Sequence, residues 1–112
     1  MKKILYIDNS EIHRLLLQAE LSQEGIHVVT AGSIEEALSK WKELNPGFVI
    51  LELRQNRLSG EVFEKLKNTY PDVLWIGYST YAQCPEELKK WINFYLPKSS
   101  KIGAIKTLIE SL

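Results

Sequence analysis

The sequence predicts an α/β domain: a five-stranded parallel sheet in the order 2-1-3-4-5, with helices on both faces. Three observations carry this reading. Short apolar runs rich in β-branched and aromatic residues recur at 3–7, 26–30, 48–53 and 73–78, with a shorter one at Phe94-Tyr95-Leu96. They lack polar alternation, the mark of strands buried on both faces. Between them lie segments of helical period, and strands alternating with helices imply right-handed crossovers and a parallel sheet. The 112 residues suffice for one core and are read as a single domain, 1–112.

Each element has local support. Ser10 follows the first strand as an N-cap candidate and precedes a stripe of Ile12, Leu15, Leu16 and Ala19. Ser33-Ile34-Glu35-Glu36 has capping-box spacing and opens a second stripe of Ile34, Ala37, Leu38, Trp41 and Leu44. Ser59 and Pro71 bracket a third, made of Val62, Phe63, Leu66 and Tyr70. Pro85 sits at a first helical position before Leu88, Trp91 and Ile92, a fourth helix. Ile102, Ile105, Leu108, Ile109 and Leu112 make the fifth. Five strands favour the flavodoxin-like order.

Composition narrows the function. Fourteen basic and fourteen acidic residues give a net charge of zero, without the electrostatic footprint of a nucleic-acid binder. The longest apolar runs are four residues, against the ~20 a spanning helix needs. Met1-Lys2-Lys3 has the charge of a signal peptide, but Asp8 interrupts the apolar stretch, so a cytoplasmic location is expected. The single cysteine, Cys84, cannot form an internal disulfide.

In open parallel sheets, ligands bind beyond the carboxyl ends of the strands. Those ends carry Asp8-Asn9 after strand one, Glu52 after strand three, Ser79-Thr80 at strand four and Lys98 after strand five. Carboxylates suit a hard cation such as magnesium, and a hydroxyl with an ammonium suits a phosphoryl oxygen.

The runs Ile4-Leu5-Tyr6-Ile7-Asp8-Asn9, Val49-Ile50-Leu51-Glu52-Leu53, Trp75-Ile76-Gly77-Tyr78-Ser79-Thr80 and Tyr95-Leu96-Pro97-Lys98, with Gly60, resemble the receiver domain of two-component response regulators over essentially the whole chain. The resemblance implies the CheY-like version of the fold and a signalling module rather than an enzyme. In that family a histidine kinase donates a phosphoryl group to an aspartate after strand three, an acidic pair after strand one helps hold magnesium, a Ser/Thr and a Lys contact the phosphoryl group, and an aromatic on strand five changes rotamer. Asp8 matches the first acidic residue, Ser79 the hydroxyl, Lys98 the lysine and Tyr95 the aromatic.

The departures fall on the chemistry. Glu52 stands at the phosphoacceptor position and Asn9 at the second acidic one. Gln55-Asn56 replaces the usual Met-Pro, Ser99 replaces the proline after the lysine, and the segment from Ser79 to Lys98 is shorter than the family norm, so the fourth helix should be short. A methylene added to the acceptor misplaces the nucleophile by about 1 Å, which can cost ~10²-fold in rate. With Asn9 contributing no charge, a metal site of Asp8, Asn9 and Glu52 should be weak, and the cofactor expectation is no metal or weakly bound Mg2+. The longer arm brings Glu52 toward the place of a phosphoryl group, where an ion pair with Lys98 would hold one state. The simpler reading is a strand-end carboxylate satisfied by Lys98 and solvent.

The expected function is therefore a receiver-like module, not phosphorylated at the usual position, acting through protein contact. Its partner would be a histidine kinase, another signalling protein or a second copy of the chain. Tyr81, Leu88, Trp91 and Tyr95 mark a candidate interaction face, with packing under a shortened fourth helix as the equal alternative. The alternatives are a working phosphoacceptor using Ser79 or Asp8, and a small flavodoxin-like cofactor binder. The latter is disfavoured by Asp8-Asn9-Ser10-Glu11 where a Gly-rich phosphate loop would stand. His13 and His27 read as surface histidines, and Trp41 and Trp75 as core.

Overall fold

The computed structural model describes residues 1–22, 25–55, 58–101 and 103–112. Five strands, β1 (Lys2–Ile7), β2 (Ile26–Ala31), β3 (Phe48–Leu51), β4 (Leu74–Ser79) and β5 (Phe94–Pro97), alternate with helices α1 (Glu11–Leu21), α2 (Ile34–Leu44), α3 (Gly60–Thr69) and α4 (Ala104–Ser111). All neighbouring strands run parallel in the order β2-β1-β3-β4-β5, as expected. Asn56 and Ile102, two positions singled out in the sequence, lie outside the described residues. Among those described, no helix is long and apolar enough to cross a membrane.

Side chains alternate across a strand, so each unpolarised apolar run feeds two cores. Leu5, Ile7, Val49, Leu51 and Trp75 meet Ala37, Trp41, Phe63 and Leu66 from α2 and α3 on one face. Ile4, Tyr6, Ile50 and Ile76 meet Leu17, Leu21, Ile105 and Ile109 from α1 and α4 on the other. Trp41 stacks on Tyr70 at 4.8 Å between centroids, and Phe63 meets Trp75 edge-on at 5.5 Å. Trp41 and Trp75 are core residues, as read from the sequence.

Ser10, Ser33 and Ser59 cap α1, α2 and α3, each accepting from the backbone N–H three residues on. Glu36 reaches back to the Gly32 N–H at 3.0 Å, one residue further than the standard capping box. Gly103 caps α4 at φ 87°, a left-handed conformation that favours glycine.

Two expectations are corrected. The fourth helix is short, as expected, but it is a six-residue 3-10 helix, Glu86–Trp91, with Pro85 before its first position rather than at it. The short crossover leaves room for no more, and the Trp91 ring packs parallel to Phe63, with centroids 6.3 Å apart. The second correction concerns α1. Its buried face is Leu17 and Leu21, whereas Ile12, Leu15 and Leu16 are 70%, 60% and 64% exposed. The sequence EIHRLLLQAEL holds apolar residues on more than one face. Leu17 and Leu21 are the (i, i+4) pair that docks, because Asp8 and Ser10 fix the helix's rotation at its start.

This assignment predicts opposite outcomes on one helix. Leu17→Ala should cost about 2–5 kcal/mol of unfolding free energy in a urea titration, while Leu15→Lys should stay within about 0.5 kcal/mol of the parent.

Candidate functional site

The sheet ladder itself builds the site. Its hydrogen bonds run one residue past the strand ends: Asp8 N–H donates to the Ala31 carbonyl at 3.0 Å, Glu52 N–H to the Ile7 carbonyl at 2.9 Å, and Lys98 N–H to the Ser79 carbonyl at 2.6 Å. Three charged side chains thereby leave β1, β3 and β5 at one rim, with Ser79 ending β4 beside them.

Their ends converge. The Lys98 ammonium lies 2.7 Å from Asp8 Oδ2 and 2.6 Å from Glu52 Oε2. Glu52 Oε1 accepts from the Arg54 N–H at 2.9 Å and from the Ser79 hydroxyl. Asp8 Oδ1 accepts from the Ser10 N–H at 2.8 Å, and Asp8 Oδ2 from the Tyr6 hydroxyl at 2.5 Å. Asp8, Glu52 and Ser79 are buried. Every carboxylate oxygen therefore has a donor, as buried charge requires. The Glu52–Lys98 pair foreseen in the sequence is present, but solvent takes no major share in it: Glu52 is 3% exposed.

Sequence reasoning missed three participants. His13, read as a plain surface residue, places Nδ1 2.8 Å from the Lys98 ammonium. An ammonium only donates, so this nitrogen accepts. Tyr6 was hidden inside an apolar run, although it lies two residues before Asp8 and thus on the same side of the strand. Arg54 contributes its backbone N–H to Glu52, and its guanidinium covers the Tyr81 ring at 4.3 Å. Gln55 also engages, its side-chain amide donating to the Glu52 carbonyl at 2.6 Å.

The aromatic residues beside the site turn inward. The Tyr95 hydroxyl donates to the Tyr81 carbonyl. Its ring crosses Gly77, where an added Cβ would come within 2.8 Å of Tyr95 Cδ1. Leu88 is buried and Trp91 lies against Phe63 and Gly60. Leu88 is thus buried, while Tyr81, Trp91 and Tyr95 pack against the core and keep part of their surface exposed. Among the described residues, exposed large apolar side chains group on α1 at Ile12, Leu15 and Leu16, with Met1, Leu38 and Leu112 exposed elsewhere, and Leu16 also lines a cavity of about 380 Å³ with Tyr78, Lys98 and Ile105. Burial pushes the Cys84 thiol pKa up, the direction that disfavours the thiolate. His27 is an exposed residue of β2.

A profile of the response regulator receiver domain matches residues 4–110. The chain belongs to that family, the receiver domains of two-component systems. The Bacillus subtilis (strain 168) alkaline phosphatase synthesis transcriptional regulatory protein PhoP is 39% identical over 67 residues, covering 59% of this chain and 28% of the relative. The chain thus matches less than a third of that relative's length. The Thermotoga maritima response regulator TrrA, solved with Mg(2+)-BeF, is 32% identical with a TM-score of 0.83, covering 99% of this chain and 98% of that one. A structure of histidine kinase ThkA in complex with TrrA matches at 29% identity and a TM-score of 0.81, covering 99% of this receiver domain and 97% of that chain.

The family implies magnesium, and the residues here do not fit it. A divalent ion needs free carboxylate oxygens, yet those of Asp8 and Glu52 already hold Lys98 and four other donors. Asn9 is exposed at the rim. Among the described residues, no group of three His, Cys, Asp or Glu could hold a metal ion.

Burial, then the hydrogen bond to Asp8, raises the Tyr6 phenol far above its ordinary value, and burial first of all raises those of Tyr78 and Tyr95. Above about pH 10 the unfolded chain releases these protons while the folded one keeps them. Stability should therefore be full below that pH and decline above it. Urea midpoints across pH 8–11 should show the decline, and Tyr6→Phe should flatten it while costing roughly 1.5–3 kcal/mol at neutral pH.

Proposed function

We propose that this receiver domain is a signalling module that is not phosphorylated at Glu52, catalyses no reaction of its own and acts through protein–protein contact. The single observation that carries the reading is the state of Glu52. Its carboxylate is buried, and it already bonds Ser79 and Lys98, the two groups that resemblance assigns to a phosphoryl group. A nucleophile in that position would have to break an ion pair and two hydrogen bonds before attacking a donor. The internal carboxylate instead makes the contacts that a phosphoryl group would make. Phosphorylation at Ser79 fits less well, because that hydroxyl is fully buried and donates to Glu52.

The partner-facing surface in this reading is the exposed stripe Ile12, Leu15 and Leu16 on α1. It adjoins the rim through His13 and the cavity beside Lys98. Exposed apolar side chains grouped beside a polar site mark contact surfaces. The partner class is a signalling protein such as a histidine kinase, supported by the complex known for TrrA.

Acetyl phosphate transfers its phosphoryl group to a carboxylate oxygen and releases acetate, so intact mass tests the first part. The native chain should show no adduct in acetyl phosphate and magnesium. Glu52→Asp, which shortens the arm by one methylene, should show a partial adduct, and Asn9→Asp/Glu52→Asp a larger one. An adduct on native Glu52 would refute the reading.

A further inference from the structure

We infer that the Lys98 ammonium is the resident cation of this site and does structurally what a divalent metal would otherwise do there. An ammonium has three N–H donors. Lys98 has three acceptors, Asp8 Oδ2 at 2.7 Å, Glu52 Oε2 at 2.6 Å and His13 Nδ1 at 2.8 Å. Its side chain is 9% exposed, and those of Asp8 and Glu52 are 1% and 4% exposed. The cation is thus fully coordinated, nearly dry and bonded to both carboxylates that a metal would require.

The lysine is also tethered. Its backbone N–H is fixed to the Ser79 carbonyl at 2.6 Å, and its ammonium passes 5.7 Å from the centre of the Tyr78 ring. A soluble divalent ion competing for the same oxygens must displace a charge that cannot diffuse away, and would then sit beside it. Coulomb repulsion at such distances is strong where water is scarce. Ser10, Tyr6, Arg54 and Ser79 take further lone pairs, leaving one on Asp8 Oδ1 and one on Glu52 Oε2, so a divalent ion would have to displace a donor to gain more than one oxygen from each carboxylate. The domain therefore holds β1, β3 and β5 together at the rim independently of the divalent-ion concentration. This deepens the proposed function and rests on it, because a chain that needs no metal-assisted phosphoryl transfer can dedicate its lysine to this role.

The test uses Mn2+ alone as the probe. In the native chain, low-millimolar Mn2+ should leave the His13 ring proton resonances unbroadened, and electron paramagnetic resonance should show all the ion free. Lys98→Met, similar in length but uncharged, should bind Mn2+ roughly tenfold or more tighter than the native chain, and Asp8→Asn/Lys98→Met should lose that gain. Selective broadening of His13 at submillimolar Mn2+ in the native chain would overturn the inference. So would a folded Lys98→Met that binds no more tightly than the parent. If Lys98→Met does not fold, the native resonance measurement decides alone. A phosphoryl adduct on native Glu52 would defeat the proposed function, whereas metal binding without an adduct would defeat only this inference.

Discussion

Two carboxylates side by side in a water-poor cleft repel each other and forfeit hydration, and each is stable only if a cation and hydrogen-bond donors replace what water supplied. Asp8 and Glu52 are so placed, and the Lys98 ammonium bridges them. Much of the rim's architecture follows from this need. Lys98 must come from β5 across β4 and β3 to reach Asp8, so the bridge ties the carboxyl end of the edge strand to the centre of the sheet. Ser10 can cap α1 while its own N–H serves Asp8, which joins the start of a helix to the same charge. Removing one member of such a cluster strands the others, so its members act as a unit.

The scaffold makes this placement possible at little local cost. Parallel strands covered on both faces leave polar groups no exit except at the strand ends, and a right-handed βα crossover brings all carboxyl ends to one side. That is why Asp8, Glu52, Ser79 and Lys98 were legible as a set in the sequence: they are the first polar residues at the ends of apolar runs. The strands and the serine caps were legible because period and cap chemistry are local properties, and the strand order because five alternating strands favour one doubly wound arrangement.

What escaped the sequence depends on rotation and on length. In α1, Ile12, Leu15, Leu16, Leu17 and Leu21 allow more than one apolar stripe, and the helix's rotation is set by Asp8 and Ser10 at its start, not by its own pattern. The same rotation carries His13 over the rim to Lys98, a position that no spacing rule between two ligands would flag. Tyr6 reads as core because it is core, and its hydroxyl serves Asp8 from inside. The 3-10 helix is a matter of chain length: with so few residues between β4 and β5, a full α-helical crossover has no room, and Leu88 and Trp91 are drawn in against the sheet instead.

The contacts around Tyr95 extend the rim's influence outward. Gly77 leaves space for the ring over β4, and the hydroxyl holds the Tyr81 carbonyl. Tyr81 in turn lies under the Arg54 guanidinium, and the Arg54 N–H donates to Glu52. A path of contacts therefore runs from the carboxylate, through Arg54 and Tyr81, to Tyr95 on the edge strand. Such a path has few ways to relax one member without moving the rest, because close-packed interiors transmit displacement rather than absorb it. Glu52 stands at one end of this path and Tyr95 at the other. In this chain, then, the position of Tyr95 is coupled to the Glu52 carboxylate through Arg54 and Tyr81, so that a displacement at the rim and a displacement at the β5 edge are each felt at the other end.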